Sequence, residues 1–245
     1  MLRPAACPGP RVVVFPHAGS GARRYREVPA GLPPYVEVIG VTLPGRERRA
    51  GCAPGTTLAR AVAGIGAELR APAAGRTVFY GHSLGALLAL LTAHAGQARC
   101  DALVVSCALP GRRGFPRPDL LGTHAGLTAV LALHGLAADA LEDTSLPDAR
   151  RTLAHDLALA QDALLAVDGL RVDVPLTALA GADDPLVPLA TLPQWADLTS
   201  GPFRSRQVEG GHFFPFTAAG AAVVTGELAA SLRPSGPRAV PSLTP

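Results

Sequence analysis

Six short candidate strands, at 11–15, 36–43, 77–80, 102–106, 175–180 and 203–208, constrain this chain more than any other feature. Most are nearly continuous in Val, Leu, Ile, Ala and Phe, as strands covered on both faces must be. Between them lie alanine- and leucine-rich stretches whose apolar period shifts toward 3.6, at 58–70, 84–95 and 217–232. Strand and helix signals that interleave without a repeat predict an α/β fold, a mostly parallel sheet flanked by helices. The alternation breaks once. Residues 111–171 carry two helical patterns, at 120–136 and 147–167, and no strand, so a helical insertion is expected there as a lid over one end of the sheet.

Composition supports a packed core and narrows the function. The chain has 245 residues, 48% of them hydrophobic and 17% charged, which excludes disorder of the whole. A single domain over 1–232 is expected, followed by a proline-rich tail at 233–245 without periodicity. Its 22 basic residues are all arginine, and against 19 acidic residues they leave a net charge of only +3, too weak and dispersed for nucleic-acid binding. The four cysteines, Cys7, Cys52, Cys100 and Cys107, show no CxxC spacing, so reduced thiols and no metal site are expected. No segment approaches a membrane span, and the N-terminal residues lack the apolar core of a signal peptide. A cytoplasmic protein without membrane attachment is the expectation.

The chemistry concentrates in Val78-Phe79-Tyr80-Gly81-His82-Ser83-Leu84-Gly85-Ala86, where a strand passes through Gly-x-Ser-x-Gly into a helix. At such a turn the serine hydroxyl is forced to project, and both glycines are required because side chains would meet neighbouring backbone. Ser83 is the candidate nucleophile. The amide of Leu84, at the helix N-terminus, is a candidate oxyanion donor.

A serine needs a base and a group to orient that base. In α/β-hydrolases the order along the chain is Ser, acid, His, which sets aside His17 and His82. His94 lies on the helix after Ser83, and His124, His134 and His155 lie in the insertion. His212, in Val208-Glu209-Gly210-Gly211-His212-Phe213-Phe214, follows the last strand on a glycine-rich loop and is the candidate base. The acid belongs after the preceding strand, where Gly181-Ala182-Asp183-Asp184-Pro185 offers two adjacent carboxylates. Asp184 is favoured by its place before Pro185, with Asp183 the alternative. Near the start, Phe15-Pro16-His17-Ala18-Gly19 forms a loop after the first strand, and the N–H of Ala18 is the candidate second oxyanion donor. A phosphate-binding loop is excluded there, because a chain without lysine has no Walker lysine.

These segments, together with Leu43-Pro44-Gly45-Arg46-Glu47, resemble in kind and order the landmarks of the stand-alone type II thioesterases of polyketide and nonribosomal peptide assembly lines. The resemblance covers most of the chain. It implies hydrolysis of acyl thioesters on the phosphopantetheine arm of acyl or peptidyl carrier proteins, a helical lid, no cofactor, and an editing role toward stalled or misprimed acyl groups. A general carboxylesterase or lipase would use the same triad, and a silent carrier-binding scaffold is a further alternative. The arginines at 23, 24, 26, 46, 48, 49, 112, 113 and 117 admit either docking to an acidic carrier or an ordinary solvated surface.

Overall fold

A computed structural model describes residues 9–71, 73–112, 128 and 148–233. Its centre is a six-stranded sheet of β1 (Arg11–Phe15), β2 (Glu37–Gly40), β3 (Thr77–His82), β4 (Ala102–Ser106), β5 (Leu176–Gly181) and β6 (Phe203–Val208). The strand order is β2-β1-β3-β4-β5-β6, and every pairing is parallel. The helices are α1 (Leu58–Glu68), α2 (Leu84–His94), α3 (Asp148–Ala166) and α4 (Ala218–Leu232).

Residue alternation along the strands divides the interior in two. Val13, Phe15, Phe79, Leu103 and Val105 pack with α1, α2, α3 and Trp195 on one face. Val12, Val14, Val78, Tyr80 and Val104 pack with Tyr25, Val28 and the α4 residues Val224 and Leu228 on the other. Covered on both faces, β1, β3, β4 and β5 are wholly buried, which is why they read as unbroken apolar runs. Helix α2 is apolar nearly all round because it is enclosed, with α1 and α3 packed against it and the sheet beneath.

The two edge strands differ from the central ones, β2 being shorter than expected and β6 polar. The 36–43 run forms a strand only over Glu37–Gly40, since Val41 pairs once more with Val14 before the chain turns away toward Pro44. In β6, Arg204, Ser205, Arg206 and Gln207 are exposed, and both arginines reach Glu227 of α4. A charged edge strand of this kind discourages pairing with another sheet. The 147–167 pattern is α3, whereas the 120–136 pattern lies outside the described residues apart from 128. Among the described residues, no helix is long and apolar enough to cross a membrane.

Candidate active site

The five inner and edge strands that matter for chemistry all deliver their loops to the same end of the sheet, the carboxyl end. Register sets the neighbours: Phe15 of β1 lies beside Gly81 of β3, and His82 lies beside Ser106 of β4.

Ser83 sits between β3 and α2 with φ 56° and ψ −122°, a conformation that L-residues rarely adopt. It is held there from both sides. Its N–H donates to Ser106 O at 2.9 Å, and its carbonyl accepts from Ala86 N–H at 2.9 Å. A Cβ on Gly81 would press into Ala86 and the Gly85 carbonyl, and a Cβ on Gly85 into the carbonyls of Phe15 and Pro16. The glycines therefore let α2 start directly against the end of β1. The side chain of Ser83 makes no helix cap, and Leu84, as first residue of α2, has no acceptor for its N–H within the helix.

His212 Nδ1 and Asp184 Oδ2 are 2.8 Å apart. The other oxygen of Asp184 accepts from the N–H groups of Leu186 (2.8 Å) and Val187 (3.2 Å), so the carboxylate is fixed before it meets the imidazole. Asp183 does something else: its N–H donates to Gly210 O at 3.0 Å, stitching the loop after β5 to the loop after β6, and its side chain points to solvent-exposed ground. Gly181 allows this approach, since a Cβ there would lie 2.6 Å from Gly210 O. Of the two carboxylates left open by the sequence, Asp184 is the one paired with His212. Burial works to raise the Asp184 pKa, but the hydrogen bonds from His212, Leu186 N–H and Cys107, with the charge of His212, hold it below the usual carboxylate value. Cys107 Sγ, an Asp184 oxygen and a His212 ring nitrogen lie within 4.8 Å of one another. Within that group, His212 Nδ1 is engaged by Asp184.

Ahead of α2, the loop after β1 brings Ala18 to the same place. His17 N–H donates to Tyr25 Oη at 3.1 Å, and Gly19 N–H donates to Asp156 Oδ2 at 2.7 Å. Between them, the Ala18 N–H has no acceptor among the described residues. The His17 ring also meets Tyr25 Oη, at 2.5 Å, and packs on Phe213 and Phe216. Burial, then the nearby His212 and Arg24, lower its pKa to about 4, so it shapes the loop as a neutral ring.

Sequence reasoning missed one participant. Arg46, grouped above with the surface arginines, is buried and forms a two-point ion pair with Asp156 of α3. Its place in Leu43-Pro44-Gly45-Arg46-Glu47 sets it apart from the other arginines, but buried and exposed arginines look alike in a sequence, so its burial was not legible. Arg23, Arg24, Arg26, Arg48 and Arg112 are exposed, with Arg24 stacked over Phe216 at 4.7 Å, while Arg113 and Arg117 lie outside the described residues. His94 and His155 stand away from the Asp184–His212 pair, His94 against the Arg171 carbonyl and His155 against Gly55; His124 and His134 lie outside the described residues.

A family model described as a thioesterase domain matches residues 10–231. The chain belongs to the thioesterase family. This thioesterase is 37% identical over 221 residues to a probable cadicidin biosynthesis thioesterase of Streptomyces griseus, covering 86% of its own length and 60% of that relative's. It is 32% identical over 219 residues to thioesterase PikA5 of Streptomyces venezuelae, covering 87% and 78%. The chain thus spans less than two thirds of the first of these proteins. Among solved structures, it resembles the type II thioesterase BorB from the borrelidin biosynthetic cluster, with a TM-score of 0.73, 29% identity and 94% of each chain covered. RedJ, a thioesterase from the prodiginine biosynthetic pathway in Streptomyces coelicolor, follows with a TM-score of 0.70 and 26% identity over 94% of this chain and 97% of that one. The parallel sheet with helices on both faces is the α/β-hydrolase fold of these thioesterases.

Proposed function

We propose that this thioesterase is a type II enzyme that hydrolyses acyl thioesters from the phosphopantetheine arm of acyl or peptidyl carrier proteins, clearing aberrant or stalled acyl groups from a polyketide or nonribosomal peptide synthase. The observation that carries the reading is the Asp184–His212 pair at one end of the sheet that also presents Ser83 on its strained turn. The likeness to BorB supports the choice of thioester over ester.

In this reading Ser83 Oγ attacks the thioester carbonyl while His212, through the ring nitrogen not bonded to Asp184, takes the hydroxyl proton. Asp184 holds the imidazole and stabilises its charged form. The N–H groups of Ala18 and Leu84 receive the oxyanion of the tetrahedral intermediate. As the intermediate collapses, the carbon–sulfur bond breaks, the proton on His212 goes to the departing thiolate, and the acyl group stays on Ser83. Water, deprotonated by His212, then attacks the acyl-serine, and the carboxylic acid leaves with Ser83 reprotonated. Phosphopantetheine arrives with the carrier, so the chemistry draws on no cofactor of the enzyme. The insertion from 111 to 171 acts as a lid, within one hydrolase domain, and the reaction takes place in the cytoplasm beside the synthase.

The test compares kcat/KM for one acyl group presented on a carrier protein, on coenzyme A and as a simple oxygen ester. A preference of tenfold or more for the carrier supports the reading. Equal or faster turnover of the simple ester would favour a general carboxylesterase instead.

A further inference from the structure

Three segments far apart in sequence meet at one buried carboxylate. Asp156, on the inner side of α3, has a side chain only 3% exposed. Its Oδ2 accepts from Gly19 N–H at 2.7 Å and from Arg46 Nη1 at 2.5 Å, and its Oδ1 accepts from Arg46 Nη2 at 2.7 Å. Arg46 Nη1 also donates to Ser20 O at 2.9 Å. The loop after β1 is therefore gripped at Gly19 N–H by Asp156 and at Ser20 C=O by Arg46, in the two residues after Ala18. The same helix closes over both loops nearby. A Cβ on Gly19, where φ is +77°, would lie 3.1 Å from Leu153 Cδ1, and Thr152 Oγ1 donates to Gly45 O at 3.4 Å.

We propose that Arg46 and Asp156 are positioning residues for the oxyanion hole, aiming the Ala18 N–H and making the hole depend on the docking of α3. Neither residue touches the reacting atoms. The physical case is one of rigidity: an unsupported glycine-containing loop samples many orientations, whereas an oxyanion donor is effective only if its direction is set before charge develops. A buried, bidentate arginine–carboxylate pair fixes direction as well as distance. Since Asp156 belongs to the inserted segment and Arg46 to the loop after β2, the hole is complete only when the insertion is seated. This proposal rests on the Ser83 reading above.

The experiment measures kcat, KM and two inhibitor affinities in the full chain. Asp156→Asn keeps an oxygen for Gly19 N–H but weakens the hold of Arg46. Because a lone buried arginine threatens folding, a second variant, Arg46→Met with Asp156→Leu, removes both charges together. For folded protein of either kind, kcat should fall about 30-fold, less than the roughly hundredfold or more lost when a donor itself is deleted. KM for a small acyl thioester should stay within about threefold, as expected when only transition-state stabilisation is lost. Affinity for a trifluoromethyl ketone, which forms a tetrahedral adduct on Ser83, should fall in step with kcat, while a thioether analogue, which has no carbonyl to attack and forms no oxyanion, binds unchanged. Unchanged kcat in either folded variant would overturn the proposal, and so would equal weakening of both inhibitors, which is the mark of a merely structural role. Ser83→Ala serves as a separate arm: if it retains turnover, the Ser83 reading fails, whereas an inactive Ser83→Ala beside a fully active Asp156→Asn sinks only the positioning role.

Discussion

The imidazoles of His82 and His212 stand 5.2 Å apart, centroid to centroid. His17 stands 5.4 Å from His82, so three histidines share one small volume. They are not equivalent. Burial first, and then the charges of neighbouring histidines, push His82 well below its ordinary pKa and His17 to about 4. Of the three, His212 is the one with a carboxylate partner. Neutral neighbours suit a base that must accept a proton, because a charged imidazole beside it would oppose that step.

These depressed values carry a stability consequence. Between about pH 4 and 6.5 the unfolded chain binds a proton at His17 that the folded chain does not, so stability falls as pH drops through that window. Below about 4 the folded form protonates as well, and the contribution of His17 levels off. His82, also lowered by burial, acts in the same direction. Urea midpoints at pH 7 and pH 5 should therefore fall less in His17→Gln than in the parent chain. An identical decline in both would contradict the assignment.

Asp184 and Asp183 separate sharply in their expected effects. Asp184→Asn leaves His212 with an amide partner and should lower kcat about 10⁴-fold, the scale seen for the equivalent change in another serine hydrolase. Asp183→Asn keeps its backbone N–H on Gly210 and should stay within about threefold of the parent, as exposed polar replacements usually do. Steady-state kinetics of the two variants decides the matter, and the reverse ranking would refute it.

Gly85 is a packing requirement with no direct part in the chemistry. In Gly85→Ala the new methyl collides with the Phe15 and Pro16 carbonyls, which are backbone and do not rotate away. A loss of more than about 3 kcal/mol is expected, the scale of severe core overpacking. Equilibrium urea unfolding measures it, and a midpoint equal to that of the parent would contradict the close approach of α2 to β1.

Much of this was legible in the sequence, for physical reasons that differ by residue. The central strands stood out because burial on both faces leaves only apolar residues, and Ser83 because its turn tolerates only glycine on either side. His212 followed from chain order. The choice between Asp183 and Asp184 rested on a proline; it takes the two N–H groups of Leu186 and Val187, turning one carboxylate inward, to distinguish them in space. Arg46 and Asp156 were illegible as a pair, since they are 110 residues apart and carry the same letters as surface charges. The 203–208 strand is β6 as expected, although four of its six residues are polar, which an edge strand admits and a central strand could not.

The central claim is that Ser83 carries the acyl group. It is tested most directly by loading a carrier protein with a labelled acyl group, adding purified Ser83→Ala protein of verified fold, and following release by mass spectrometry of the carrier. The account predicts a loss of about 10⁶-fold, leaving release at background. Release by the variant at a rate near that of the parent enzyme would contradict it.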